Sequence, residues 1–147
     1  ARVYISDGEK ELIHDTDANL SSQYHNPKTV QPDVFLRDGE TVEIAGMTIR
    51  CIQTPGHTEG SCCYYIGETG EEEKGDVGKK PCPPILLSGD TLFEESVGRT
   101  DFPTGSMSAL VRSVREKLFI LPDETLVYPG HGGMTQIGHE KQYNAMV

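Results

Sequence analysis

A chain of 147 residues that is 35% hydrophobic and 24% charged has room for one domain with a sizeable core and not for two ordinary ones. Its formal net charge of −10, with no stripe of basic residues, excludes binding to nucleic acid by phosphate neutralisation and argues against an anionic membrane surface. No apolar run reaches the length of a membrane span, the opening ARVYISDGEK is not a signal peptide, and Cys51, Cys62, Cys63 and Cys82 read as reduced thiols, so the expected compartment is the cytoplasm.

Val3-Tyr4-Ile5 opens the chain as an apolar, strand-like run with no turn or cap before it, as a sequence cut from the middle of a unit would. Ser6 or Asp7 caps a short helix to about His14, anchored by Leu12 and Ile13, and the polar residues to Gln31 give loop and short helix. From Val34 the period becomes two. Residues 41–44 and 47–52 alternate around Ala45-Gly46 and predict a hairpin. Ser61 to Ile66 and Ile85 to Ser88 predict a second strand pair. The Gly-, Pro- and charge-rich segment between them predicts a mobile loop over about 68–84, with its least anchored part at 70–80.

Further along, Met107, Leu110, Val111, Val114 and Leu118 stand at helical spacing, which predicts a helix over 106–121 with Ser106 as its cap and Pro122 closing it. Residues 125–128 then predict a short strand, and Ile137 to Tyr143 a last helical turn or two. Strands and helices alternate without any repeat, so the expected class is a mixed α/β (α+β) single domain over 1–147.

Three segments share one grammar: residues 52–57 ending in Pro55-Gly56-His57, 86–90 ending in Ser88-Gly89-Asp90, and 127–131 ending in Pro129-Gly130-His131. In each, an apolar strand meets a glycine turn that presents one side chain able to bind a metal at the strand's carboxyl edge, where sites in open α/β sheets collect. One such turn is ordinary; three together make a constellation. Two imidazoles and a carboxylate suit zinc, or iron or manganese where the carboxylate bridges.

TPGHTEGS, then LLSGDTLF followed by SVGRTDFP, then YPGHGGMTQIGHE, in this order, resemble the later motifs of metallo-β-lactamase-fold hydrolases, within them the short glyoxalase II-like (hydroxyacylglutathione hydrolase-like) branch. The resemblance covers roughly residues 47–147. It implies an αββα sandwich, a site for two zinc ions in which His57 ligates the first, Asp90 bridges both and His131 ligates the second, and hydrolysis of a thioester or related small acyl substrate by a metal-bound hydroxide. It also implies that Arg99 holds a carboxylate of the substrate; an ion pair between Arg99 and Asp101 is the competing reading. The family's first signature, His-x-His-x-Asp-His, does not occur in this sequence, and His14 and His25 lie in no such pattern.

The expectation that follows is a domain incomplete at its N-terminus, with metal absent or partial, an exposed apolar sheet face that favours a homo-oligomer, and little activity in this fragment alone. Asp101 and Gly133 stand where glyoxalase II places tyrosines for glutathione. Two alternatives remain open: a persulfide dioxygenase-like mononuclear iron enzyme, and a catalytically inactive fragment or assembly partner. His139 reads as a surface or cap residue.

Overall fold

The computed structural model describes residues 1–67 and 82–147. It has the mixed α/β class expected. β1 (Tyr4–Ser6) and β2 (Val34–Leu36) form a small parallel pair. The main sheet is built from β3 (Thr41–Ile44), β4 (Met47–Gln53), β5 (Cys62–Ile66), β6 (Ile85–Gly89), β9 (Leu126–Pro129) and β10 (Thr135–Gln136), in the order β10-β9-β6-β5-β4-β3. A two-stranded ribbon, β7 (Leu92–Phe93) and β8 (Ser96–Val97), follows β6. The helices are α1 (Met107–Ser113), which runs on into a π-helical turn at Val114–Leu118, and α2 (Ile137–Tyr143).

The β3–β4 hairpin forms around Ala45-Gly46 because both turn residues adopt positive φ, 53° and 77°, which matches the right-handed twist of the strands. β5 pairs antiparallel with β6, and β6 pairs parallel with β9. α1 begins where Ser106, in an extended conformation, accepts a hydrogen bond from the Ala109 N–H at 3.3 Å. Leu110, Val114 and Leu118 then point one way at i, i+4 spacing and bury completely against Ile52, Cys63, Leu86 and Val127 of the sheet. The predicted helix over 106–121 widens in its second half, with the Phe119 N–H donating to the Val114 carbonyl at 2.8 Å. On the other face of the sheet Leu87 and Tyr128, paired in register, stand exposed.

The helix expected to run from Ser6 or Asp7 to His14 is instead a 3-10 turn, Asp7–Glu9, followed by hydrogen-bonded turns, and Ser6 makes no side-chain cap. Only Ile13 buries fully there, and one anchor does not hold an α-helix. The loop expected over about 68–84 falls mostly outside the described residues. Within 82–84, Pro84 is buried and its carbonyl accepts the Leu126 N–H at 2.9 Å. No helix among the described residues is long and apolar enough to cross a membrane.

Candidate metal site

His57, Asp90 and His131 sit just past β4, β6 and β9, and the sheet brings them to one edge. The Gly130 N–H donates to the Gly89 carbonyl at 2.8 Å, which ties the turns carrying His131 and Asp90 directly to one another. His57 Nε2 lies 3.7 Å from Asp90 Oδ2, and His131 Nδ1 lies 3.2 Å from Asp90 Oδ1. Each oxygen of one carboxylate thus faces a different imidazole. Exposure rises across the site, from 19% for the His57 side chain through 38% for Asp90 to 73% for His131.

The glycines before these side chains serve different ends. Gly56 has φ of 153°, and any side chain there would enter the space filled by Leu110 at the start of α1. At Gly130 a Cβ would stand 2.6 Å from Asp90 Oδ1, so the missing side chain is what leaves the carboxylate room beside His131.

His57 is oriented from behind. Its Nδ1–H donates to the Arg99 carbonyl at 2.8 Å, a bond only the protonated nitrogen makes, so Nε2 is the atom turned to Asp90. Phe102 packs edge-on to the same ring at 5.0 Å, and Phe93 lies against the His131 ring at 4.6 Å. A cleft of about 420 Å³ opens over the three residues, walled by Phe93, Val97 and Phe102. A second cleft of about 280 Å³ lies on the far side of His57 and Asp90, lined by Ile13, Thr58, Cys62 and Tyr64. Of the cysteines only Cys62 lines it, and a hydrogen bond with the Cys51 thiol behind holds the Cys62 thiol down at about 7, while burial pushes the neighbouring Cys63 up to about 12.

Whether these residues suit a metal ion is a question of donor chemistry and spacing. Donors bound tetrahedrally to zinc at about 2.0–2.1 Å stand about 3.3 Å from one another. The two His–Asp separations bracket that value. Among the described residues no three His, Cys, Asp or Glu side chains converge on one point. The arrangement fits as two donor pairs sharing Asp90, one pair for each of two ions, and not as one closed site.

Arg99 points its guanidinium at Asp101, with Nε to Oδ1 and Nη2 to Oδ2 both 2.6 Å, and stacks over Phe102 at 4.7 Å. The competing reading of Arg99, a surface ion pair, is therefore what the structure contains. The pairing holds the Asp101 carboxyl below the usual carboxylate range. His139 lies apart from the site, bonded to Glu95 at 3.1 Å, and His14 and His25 are exposed.

The sequence reading missed a buried hydroxyl pair. Thr54, three residues before His57, and Thr91, directly after Asp90, meet at 2.9 Å between their Oγ1 atoms, both almost wholly excluded from water. Their position inside the turns that carry His57 and Asp90 was the available signal. Thr54→Val leaves the Thr91 hydroxyl without this partner, and we expect a loss of about 1–3 kcal/mol in urea unfolding. The Thr54→Val/Thr91→Val double variant should lose clearly less than the sum of the single changes. Additive losses would mean the two hydroxyls do not act as a pair.

No protein-family model matches the chain. Hydroxyacylglutathione hydrolase GloC of Haemophilus influenzae is 36% identical over 110 residues, which are 75% of this chain and 45% of that protein. Among solved structures, the crystal structure of BLEG-1 B3 metallo-beta-lactamase superposes with a TM-score of 0.79 at 33% identity, over 98% of this chain and 64% of that one. TTHA1623, solved in a di-iron-bound form, superposes with a TM-score of 0.72 at 30% identity, over 99% of this chain and 65% of that one. The chain spans about half the length of the curated relatives it matches, from 44% to 62% in two of them.

Proposed function

Since this chain belongs to the metallo-β-lactamase superfamily, we propose that it carries the His57, Asp90 and His131 part of a metal-dependent hydrolase site acting on a small acyl substrate, with a thioester as the favoured class. The observation that carries this reading is that Asp90 presents one oxygen to His57 and the other to His131. His57 and Asp90 would hold one ion, Asp90 and His131 the other, with zinc favoured and iron or manganese compatible with the same donors. Such ions supply Lewis acidity and a hydroxide at neutral pH. Asp90 fixes the spacing between the two halves. The Arg99 carbonyl keeps the His57 ring in the tautomer that binds through Nε2. Phe93, Val97 and Phe102 keep one wall of the cleft dry and apolar, which suits the acyl portion of a substrate. Arg99 reaches a substrate carboxylate only by giving up Asp101, so we assign it a secondary part in binding.

Catalytic zinc keeps three protein ligands and one open position, and two donors per ion fall short of that. We therefore expect the 147-residue chain, assayed with excess zinc against a glutathione thioester, to turn over slowly or not at all. A longer form carrying a His-x-His-x-Asp-His segment ahead of it should hydrolyse the thioester with two metal ions bound. Equal rates from both would show that the site is completed another way, for instance by a second copy of the chain. Thioester inertness of the longer form with metal bound would remove the thioester class, and a single iron with oxygen uptake would replace the hydrolase reading with the dioxygenase.

A further inference from the structure

Glu140 is the one fully buried carboxylate among the described residues, and the site described so far makes no use of it. It projects from α2 with each oxygen committed. Oε1 accepts the Thr135 hydroxyl at 2.5 Å, and Oε2 accepts the Glu95 N–H at 2.9 Å and the Asn144 side-chain amide at 2.8 Å. Asn144, one helical turn further on, also donates to the Ser96 carbonyl at 3.0 Å. The two side chains therefore grip both residues that lead from the tip of the β7–β8 ribbon into β8.

That tip needs holding. Glu95 sits at φ of 52°, a left-handed conformation that a non-glycine residue adopts at a cost. The ribbon it closes carries Phe93, whose ring lies against the His131 imidazole. The opposite oxygen of Glu140 takes hold of Thr135, which pairs with Val127 across β9–β10 and ends the loop that bears His131. One carboxylate thus binds the loop that carries His131 and the ribbon that packs on it. His131 is the most exposed of the three site residues, so it has the least packing of its own to fix it.

We infer that Glu140, assisted by Asn144, is the positioning residue of the His131 half of the site. It acts through Thr135 and through the Glu95 turn, and it touches neither a metal donor nor the cleft. The inference rests on the proposed role of His131, but its test does not. An isosteric amide at 140 can still accept the Glu95 N–H and the Asn144 amide through oxygen while its NH2 donates to the Thr135 hydroxyl. A Glu140→Gln variant should therefore preserve the arrangement, and Glu140→Ala should not.

The experiment is NMR on the metal-free chain, following the ring-current displacement and the cross-relaxation between the His131 imidazole and Phe93 protons, with the His57–Phe102 pair as internal reference. In Glu140→Ala the His131–Phe93 signals should be lost and those of His57–Phe102 kept; in Glu140→Gln both should persist. Should Glu140→Ala fail to fold by circular dichroism, Asn144→Ala carries the test, with a weakened His131–Phe93 signal expected and an unchanged His57–Phe102 signal. Persistence of the His131–Phe93 signal in whichever of these variants folds would overturn the inference. So would an equal loss at both imidazoles, which is the mark of general loosening. None of these readouts depends on hydrolysis, so failure of the functional proposal and failure of this one remain separate results.

Discussion

In the longer form proposed to bind two ions, Asp90→Asn should lower zinc affinity by more than about 100-fold and remove the second ion, as read by chelator competition followed by metal analysis. Changing an outer partner of a ligand already costs roughly 10–100-fold in metal affinity. In the proposed site Asp90 serves both ions. The amide nitrogen of Asn has no free lone pair, so one of the two imidazoles loses the donor that faces it at 3.2 or 3.7 Å. Since the Asp90 carboxylate has no other partner among the described residues, the far-ultraviolet circular dichroism of the variant should match that of the parent. Unaltered zinc stoichiometry in Asp90→Asn would remove the bridging role from the proposal.

Leu110→Ala should cost the fold a large part of its stability. Leu110 is wholly buried, and truncating such a leucine costs about 2–5 kcal/mol through lost transfer energy and the cavity left behind. Its backbone and Cβ also occupy the space beside Gly56, and the Ser106 N–H at the head of the helix donates to the Gly56 carbonyl at 2.8 Å. Alanine keeps those backbone and Cβ atoms, so the turn that carries His57 should stay seated while the core loses stability. Ile120→Ala, at a side chain 75% exposed, is the control and should change stability by less than about 0.5 kcal/mol. Urea midpoints check both. A Leu110→Ala midpoint close to that of Ile120→Ala would mean that the helix is not seated as described.

Where the sequence was readable, the governing physics was local. Ala45-Gly46 between alternating strands, Ser106 ahead of an i, i+4 apolar stripe, and a glycine before each of three metal-competent side chains all act within a few residues. The hairpin, the helix start and the convergence of the three turns could be anticipated for that reason. What was not readable depends on partners distant in sequence. β1 pairs in parallel with β2 across an intervening polar stretch, and nothing in Tyr4–Ser6 announces it. The segment after Ser6 carries helix-capping residues but lacks a second buried anchor, so propensity pointed to an α-helix that tertiary packing does not support. Thr54, Thr91 and Glu140 look like ordinary polar residues in turns and on a helix until the fold removes water from them. Arg99 was open to two readings because its partner, Asp101, and the cleft were both within reach.

The pairing of β6 with β9 also acts as an index. Leu87 sits opposite Tyr128 and Gly89 opposite Pro129, with a bulge between, so Asp90, directly after β6, and His131, two residues after β9, are delivered to the same edge. With that bulge kept as it is, sliding one strand by a single residue would turn every side chain to the wrong face, and the smallest slip that keeps the faces is two residues, about 6.6 Å along the strand. That displacement is twice the 3.2 Å now separating His131 from Asp90. The distance between the two donors is therefore not adjustable in small steps by rearranging the sheet. It is quantised by the ladder, and fine tuning is left to the loop beyond Pro129 and whatever braces it.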